Sequence, residues 1–117
     1  MTQHFPMKRF PDCIDGKGGV FDLEAKQYGV GAFSWLVHDD GVRHIVFRHP
    51  DKVWHNSAGE PIGVGSIPVD EGRWTWDGNL DEPTISPSIM FKTMHPEQPD
   101  WQETFHGFIR GGVLEVL

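Results

Sequence analysis

Glycine and proline interrupt this chain at short intervals from end to end, and that punctuation constrains the fold more than any other feature. Fourteen glycines and nine prolines stand among 117 residues. Both residue types are costly inside helices, whereas tight turns between short strands use them freely. Fourteen aromatic side chains accompany them, and aromatic residues favour strands. The length suits one domain around one core, which can be stable without disulfide or metal staples. The expected fold is all-β: a single small domain over 1–117, an antiparallel meander or Greek-key sandwich or barrel. Six to eight short strands and at most one short helix are expected. Pro6 and Pro11 mark residues 1–12 as an irregular N-terminal arm.

The local pattern supports this reading. In GAFSWLVHDDGVRHIVFRH, Phe33, Trp35 and Val37 alternate with Ser34, Leu36 and His38, the period of a strand. Asp40-Gly41 then signals a two-residue hairpin turn, and Val42 to Arg48 returns with Ile45 and Phe47 on one face. The window FDLEAKQYG is the one helix candidate, stopped by Gly29. Asp15-Gly16 and Asn56 to Gly59 read as turns, with a short extended piece at Val53-Trp54 between them. Arg73 to Trp76 places Trp74 and Trp76 on one side and Thr75 on the other. Thr84 to Phe91 extends again, and Pro83 and Pro87 confine that strand to an edge or a bulge. KTMHPEQPDWQE reads as a loop. Phe105 to Arg110, Gly111-Gly112 and Val113 to Leu117 make a final hairpin.

The net charge of −7 argues against direct nucleic-acid or bilayer binding, which relies on Lys and Arg. No apolar run reaches membrane-spanning length, and MTQHFPMKRF lacks the apolar core of a signal peptide, so a cytoplasmic location is expected. Cys13, the single cysteine, excludes an intramolecular disulfide and a cysteine-rich zinc site. The GKGG segment lacks the Lys-Ser or Lys-Thr and the following helix of a phosphate-binding loop.

Two constellations carry possible chemistry. His49, His55 and His106 are the candidate ligands of a divalent metal such as zinc, since three imidazoles can hold such an ion and leave a position open. Exposed or hydrogen-bonded histidines are the simpler reading. Trp74, Trp76, Asn79, Thr84, Ser86 and Ser88 form the second set, in which rings beside hydroxyls and an amide can stack on and hydrogen-bond a flat ligand. Core tryptophans and turn-capping hydroxyls are the plainer alternative. No Ser-His-Asp order or G-x-S-x-G elbow is present. Carboxylate pairs such as Asp39-Asp40, Asp70-Glu71 and Asp81-Glu82 fall in expected turns, where they are solvated. No catalytic residue is assigned, and binding is favoured over turnover.

WTWDGNLDEPTISPSI followed by FHGFIRGGVLEVL resembles a family of small proteins of unknown function from tailed bacteriophages and prophages. Its members carry W-x-W-(N/D)-G-(N/D), then P-T-x-S-P-S, then C-H-x-F-(V/I)-x-x-G, and are often labelled ammonia monooxygenase. That label does not suit a chain of this size without a membrane span. The resemblance picks out Trp74, Trp76, Gly78, Asn79, Pro83, Thr84, Ser86, Pro87, Ser88, His106, Phe108 and Gly112. It implies metal binding through a C-x-x-C and a Cys before the late His, where this chain has His49, Lys52 and Phe105. The resulting expectation is a phage-type accessory protein that binds a host protein, a counter-defence, anti-CRISPR-like inhibitor. A His-ligated metal-dependent hydrolase or nucleotide-processing enzyme, and a nucleotide-sequestering module, stand as alternatives. A second copy of the chain stays open as a partner.

Overall fold

The computed structural model describes residues 2–14, 18–53, 55–56, 58–69, 72–95 and 98–117. The Asp15-Gly16 turn, the Asp70-Glu71 pair, Trp54 and Ser57 lie at least partly outside them. Two sheets face one another. One has five strands in the order β1-β9-β8-β7-β6, comprising β1 (Gln3–Pro6), β6 (Thr75–Trp76), β7 (Ile85–His95), β8 (Gln98–Arg110) and β9 (Val113–Val116). The other has four, in the order β2-β3-β4-β5, comprising β2 (Lys8–Arg9), β3 (Ala32–Val37), β4 (Arg43–Pro50) and β5 (Ile62–Pro68). Pairing is antiparallel throughout except between β2 and β3.

Period-two alternation explains the core. Phe33, Trp35, Ile45, Phe47 and Ile67 from the four-stranded sheet meet Ile85, Ile89, Phe105, Ile109 and Leu114 from the five-stranded one. The register Phe33↔Phe47 and Trp35↔Ile45 puts large side chains opposite one another on a single face, the arrangement that stabilises paired strands. The β3–β4 loop holds three residues rather than two. His38 and Val42 close it, with Val42 N donating to the Asp40 carboxylate at 2.9 Å. Gly41 takes the left-handed conformation, φ 83°, that a three-residue hairpin needs after its turn.

The N-terminal segment departs from the expected irregular arm. β1 pairs with β9 and β2 with β3, so one short stretch joins both sheets. Its prolines are tolerated because both strands lie at sheet edges. Helix α1 (Leu23–Tyr28) occupies the expected window and ends at Gly29. With the 3-10 turn Gly19–Phe21, it covers the outer face of the four-stranded sheet, where Cys13, Val20 and Val46 are buried together. The segment expected as a loop after Phe91 instead continues β7 to His95 and returns as β8 from Gln98.

Candidate functional site

Faces of the β7–β8 pair follow from what is buried. Ile89, Phe105 and Ile109 are fully buried in the core, which sends Ser88 and Met90 on β7, and His106 and Phe108 on β8, to the outer face. Met90 is opposite His106 in the register, so Ser88 is its diagonal neighbour, a spacing that a long or ring side chain can bridge. Ser88 and His106 are both half-buried.

A second irregularity completes the group. Lys92 is opposite Glu103 and Phe91 is opposite Phe105, so β8 carries one extra residue, Thr104, at this step. In a regular strand, residues three apart point to opposite faces. The bulge cancels that alternation and brings the Glu103 carboxylate to 3.6 Å from His106 Nδ1. Thr104 fixes the bulge by donating its hydroxyl to the Phe91 carbonyl at 3.2 Å. The Lys52 backbone N–H donates to the Thr104 carbonyl at 2.9 Å. The Lys52 ammonium binds the other oxygen of Glu103, and that hydrogen bond holds the carboxyl below the usual carboxylate range. The charges of Lys52, His106 and Lys92 act in the same direction.

At Ser88 the β7–β8 register is shifted as well. Ile85 is opposite Ile109 and Ile89 is opposite Gly107, so residues 86–88 fall in a register shift of the β7–β8 pair, while Ser86 pairs with Thr75 of β6; the Ser86–Pro87 bond is cis. Ser88 thus stands at a register shift of the sheet, one diagonal step from an imidazole whose Nδ1 faces an ionised carboxylate.

The other residues singled out in the sequence disperse. Trp74 and Trp76 pack against the core from the inner side. Trp74 Nε1 donates to the Ser88 carbonyl at 3.4 Å and Trp76 Nε1 to the Asn79 carbonyl at 3.0 Å. The Asn79 amide oxygen accepts the Asp81 and Glu82 N–H groups, and Thr84 Oγ1 accepts the Gly111 N–H at 2.8 Å. Ser86 is exposed. The rings and the hydroxyl groups therefore do not share one platform.

The three candidate metal ligands also stand in different surroundings. His49 is buried among Phe47, Phe91 and Phe105, with Nδ1 2.8 Å from the Pro50 carbonyl. Burial depresses its pKa, against smaller opposing effects of that hydrogen bond and of Asp51. His55 is exposed in the segment between β4 and β5, and His106 is on the outer face just described. Among the described residues no three His, Cys, Asp or Glu side chains are grouped to hold a metal ion.

A further serine–histidine pair among the described residues is on the outer face of the other sheet. His44 Nδ1 is 3.2 Å from Ser66 Oγ, and the His44 ring stands edge-on to His38 with centroids 4.2 Å apart. That contact occupies Nδ1, the nitrogen that an acid holds in a catalytic triad.

The fold and the β7–β8 face together define a two-sheet β-domain presenting serine, imidazole and carboxylate on one open surface. The chain belongs to the family described as bacterial ubiquitination-like system serine protease (BubE), whose model matches residues 39–117. Comparison with curated proteins finds no match, and comparison with solved structures finds none either. The family corrects the expectation of a counter-defence binding protein, because its description is that of a serine protease. It is not the description of a metal-dependent hydrolase or of a nucleotide-sequestering module. No helix among the described residues is long and apolar enough to cross a membrane.

Proposed function

We infer that this chain is a serine-protease component of a bacterial ubiquitination-like system, with Ser88 as nucleophile, His106 as general base and Glu103 as the group that orients the imidazole. The observation that carries this reading is the Thr104 bulge. It sets Glu103 against His106 Nδ1, one diagonal step from Ser88, inside the segment that matches the family.

The chemistry follows from the roles. A serine hydroxyl is a weak nucleophile until a base takes its proton. Glu103 on Nδ1 favours the tautomer whose Nε2 lone pair is free, and stabilises the imidazolium that forms. Ser88 Oγ attacks the scissile carbonyl as His106 Nε2 takes the proton. His106 then returns that proton to the leaving amine; in the second half it takes a proton from water, which attacks the acyl carbonyl, and gives it to Ser88 Oγ as the acyl–oxygen bond breaks. The chain order Ser, Glu, His is also that of α/β-hydrolases, a different fold reaching the same roles.

Hydrolysis of a quenched-fluorescence peptide library tests the assignment. Ser88→Ala and His106→Ala are expected to abolish turnover, while Ser66→Ala and His44→Ala retain it. Loss in the second pair with retention in the first transfers the nucleophile to the other sheet. A wild-type protein that cleaves nothing in the library counts against the protease reading.

A further inference from the structure

Arg48 is a charged side chain with only 8% of its surface exposed. Its Nε and Nη2 both donate to the Val20 carbonyl, at 2.9 and 2.7 Å, which leaves three of the five guanidinium N–H groups for other partners. Among the described residues it makes no ion pair, although a buried charge without a counter-charge is costly. Glu60 acts on it only through space and gives its carboxylate to the Asn56 amide at 3.3 Å. No buried side-chain nitrogen or oxygen among the described residues lacks a partner. Nη1, which has no such partner among the described residues, therefore keeps contact with solvent-accessible space.

That space is a cavity of about 460 Å³ on the outer side of the four-stranded sheet, lined by Arg48, Lys26, Asn56, Glu60, Ile62 and Val64. Lys26 comes from the last turn of α1 and adds a second cation at the rim. Asn56 is held by its own oxygen, which accepts the Ala58 and Glu60 N–H groups at 3.0 and 2.9 Å, so its NH₂ is fixed in direction. A guanidinium fork, an ammonium and an amide donor thus line one concavity that carries one carboxylate against two cations.

We propose that this cavity is an oxyanion-binding site, in which Arg48, Lys26 and Asn56 take the oxygens of a carboxylate or a phosphate. A planar fork suits two oxygens on one centre, and the ordered Asn56 NH₂ suits a third contact. The site is on the opposite sheet from Ser88 and does not depend on the protease reading.

The test is a titration of the full ¹⁵N-labelled chain with inorganic phosphate and, separately, with acetate, at constant ionic strength. Saturable shifts of the Arg48 Nε–H and Asn56 NH₂ signals are expected, and the tighter anion identifies the ligand chemistry. Lys26→Ala, at an exposed helix position, is expected to weaken binding by about two- to fivefold, the effect of one partly solvated charge. Glu60→Gln keeps the acceptor for Asn56 and removes the opposing charge, so binding tightens by a similar factor. Shifts that grow linearly without saturating for both anions overturn the proposal, as do equal affinities in wild type and both variants.

Discussion

Replacing Glu103 by glutamine keeps the size of the side chain and removes the charge that faces His106. In triads with a fully buried, hydrogen-bonded acid, the corresponding change lowers kcat by about 10⁴-fold through the wrong histidine tautomer. Glu103 is 35% exposed and 3.6 Å from Nδ1, so water screens the pair and substitutes for part of its orienting effect. The expected loss is accordingly smaller, about ten- to hundredfold in kcat with KM little changed. Lys52 holds the Glu103 pKa below the usual carboxylate range, so the orienting charge is present wherever the imidazole can act as a base. The assay is hydrolysis of a cleaved peptide from pH 3 to 9 (about the range in which carboxylates and imidazoles titrate), with circular dichroism to confirm folding. Wild-type kcat in a folded Glu103→Gln protein refutes the orienting role.

Lys52→Met removes the hydrogen bond that lowers the Glu103 pKa, so the Glu103 carboxyl, followed by carbon-13 NMR, titrates at higher pH in a folded protein. His49 is buried with a depressed pKa, and the unfolded chain binds its proton more readily. Stability to urea therefore falls as pH drops from about 6.5 toward the folded pKa, and His49→Phe flattens that dependence. Gly65 is opposite Phe47, and a Cβ there would collide with the Phe91 ring. Gly65→Ala is expected to cost about 1–3 kcal/mol in thermal denaturation, partly recovered when Phe91→Leu makes room.

Much of the β-sandwich was legible because its inward positions follow a strict period of two. Phe33, Trp35, Ile45 and Phe47 announce their face, and Gly41 and Gly111-Gly112 announce the turns. The N-terminal strands were not legible. Gln3–Pro6 and Lys8–Arg9 carry little apolar pattern and are extended by backbone pairing at sheet edges. The continuation of β7 and β8 past Phe91 was hidden for a related reason, since Pro96 and Pro99 resemble loop punctuation.

For the site, Ser88 and His106 were both singled out, but as members of different constellations. They stand eighteen positions apart in the chain, and only the β7–β8 register makes them diagonal neighbours. Glu103 was missed because it closes the KTMHPEQPDWQE segment that reads as a loop, and in a regular strand residues three apart would point to opposite faces in any case. The bulge at Thr104 reverses that rule. A Glu-x-x-His spacing inside a strand, with threonine between the two, is the one hint the sequence held.

Treating the protein with a fluorophosphonate, which bonds covalently to an activated serine, and mapping the adduct by peptide mass spectrometry tests the Ser88–His106–Glu103 assignment most directly. The expected adduct is on Ser88, and it disappears when His106 is changed to alanine. An adduct on Ser66, or labelling of Ser88 that survives loss of His106, contradicts the assignment.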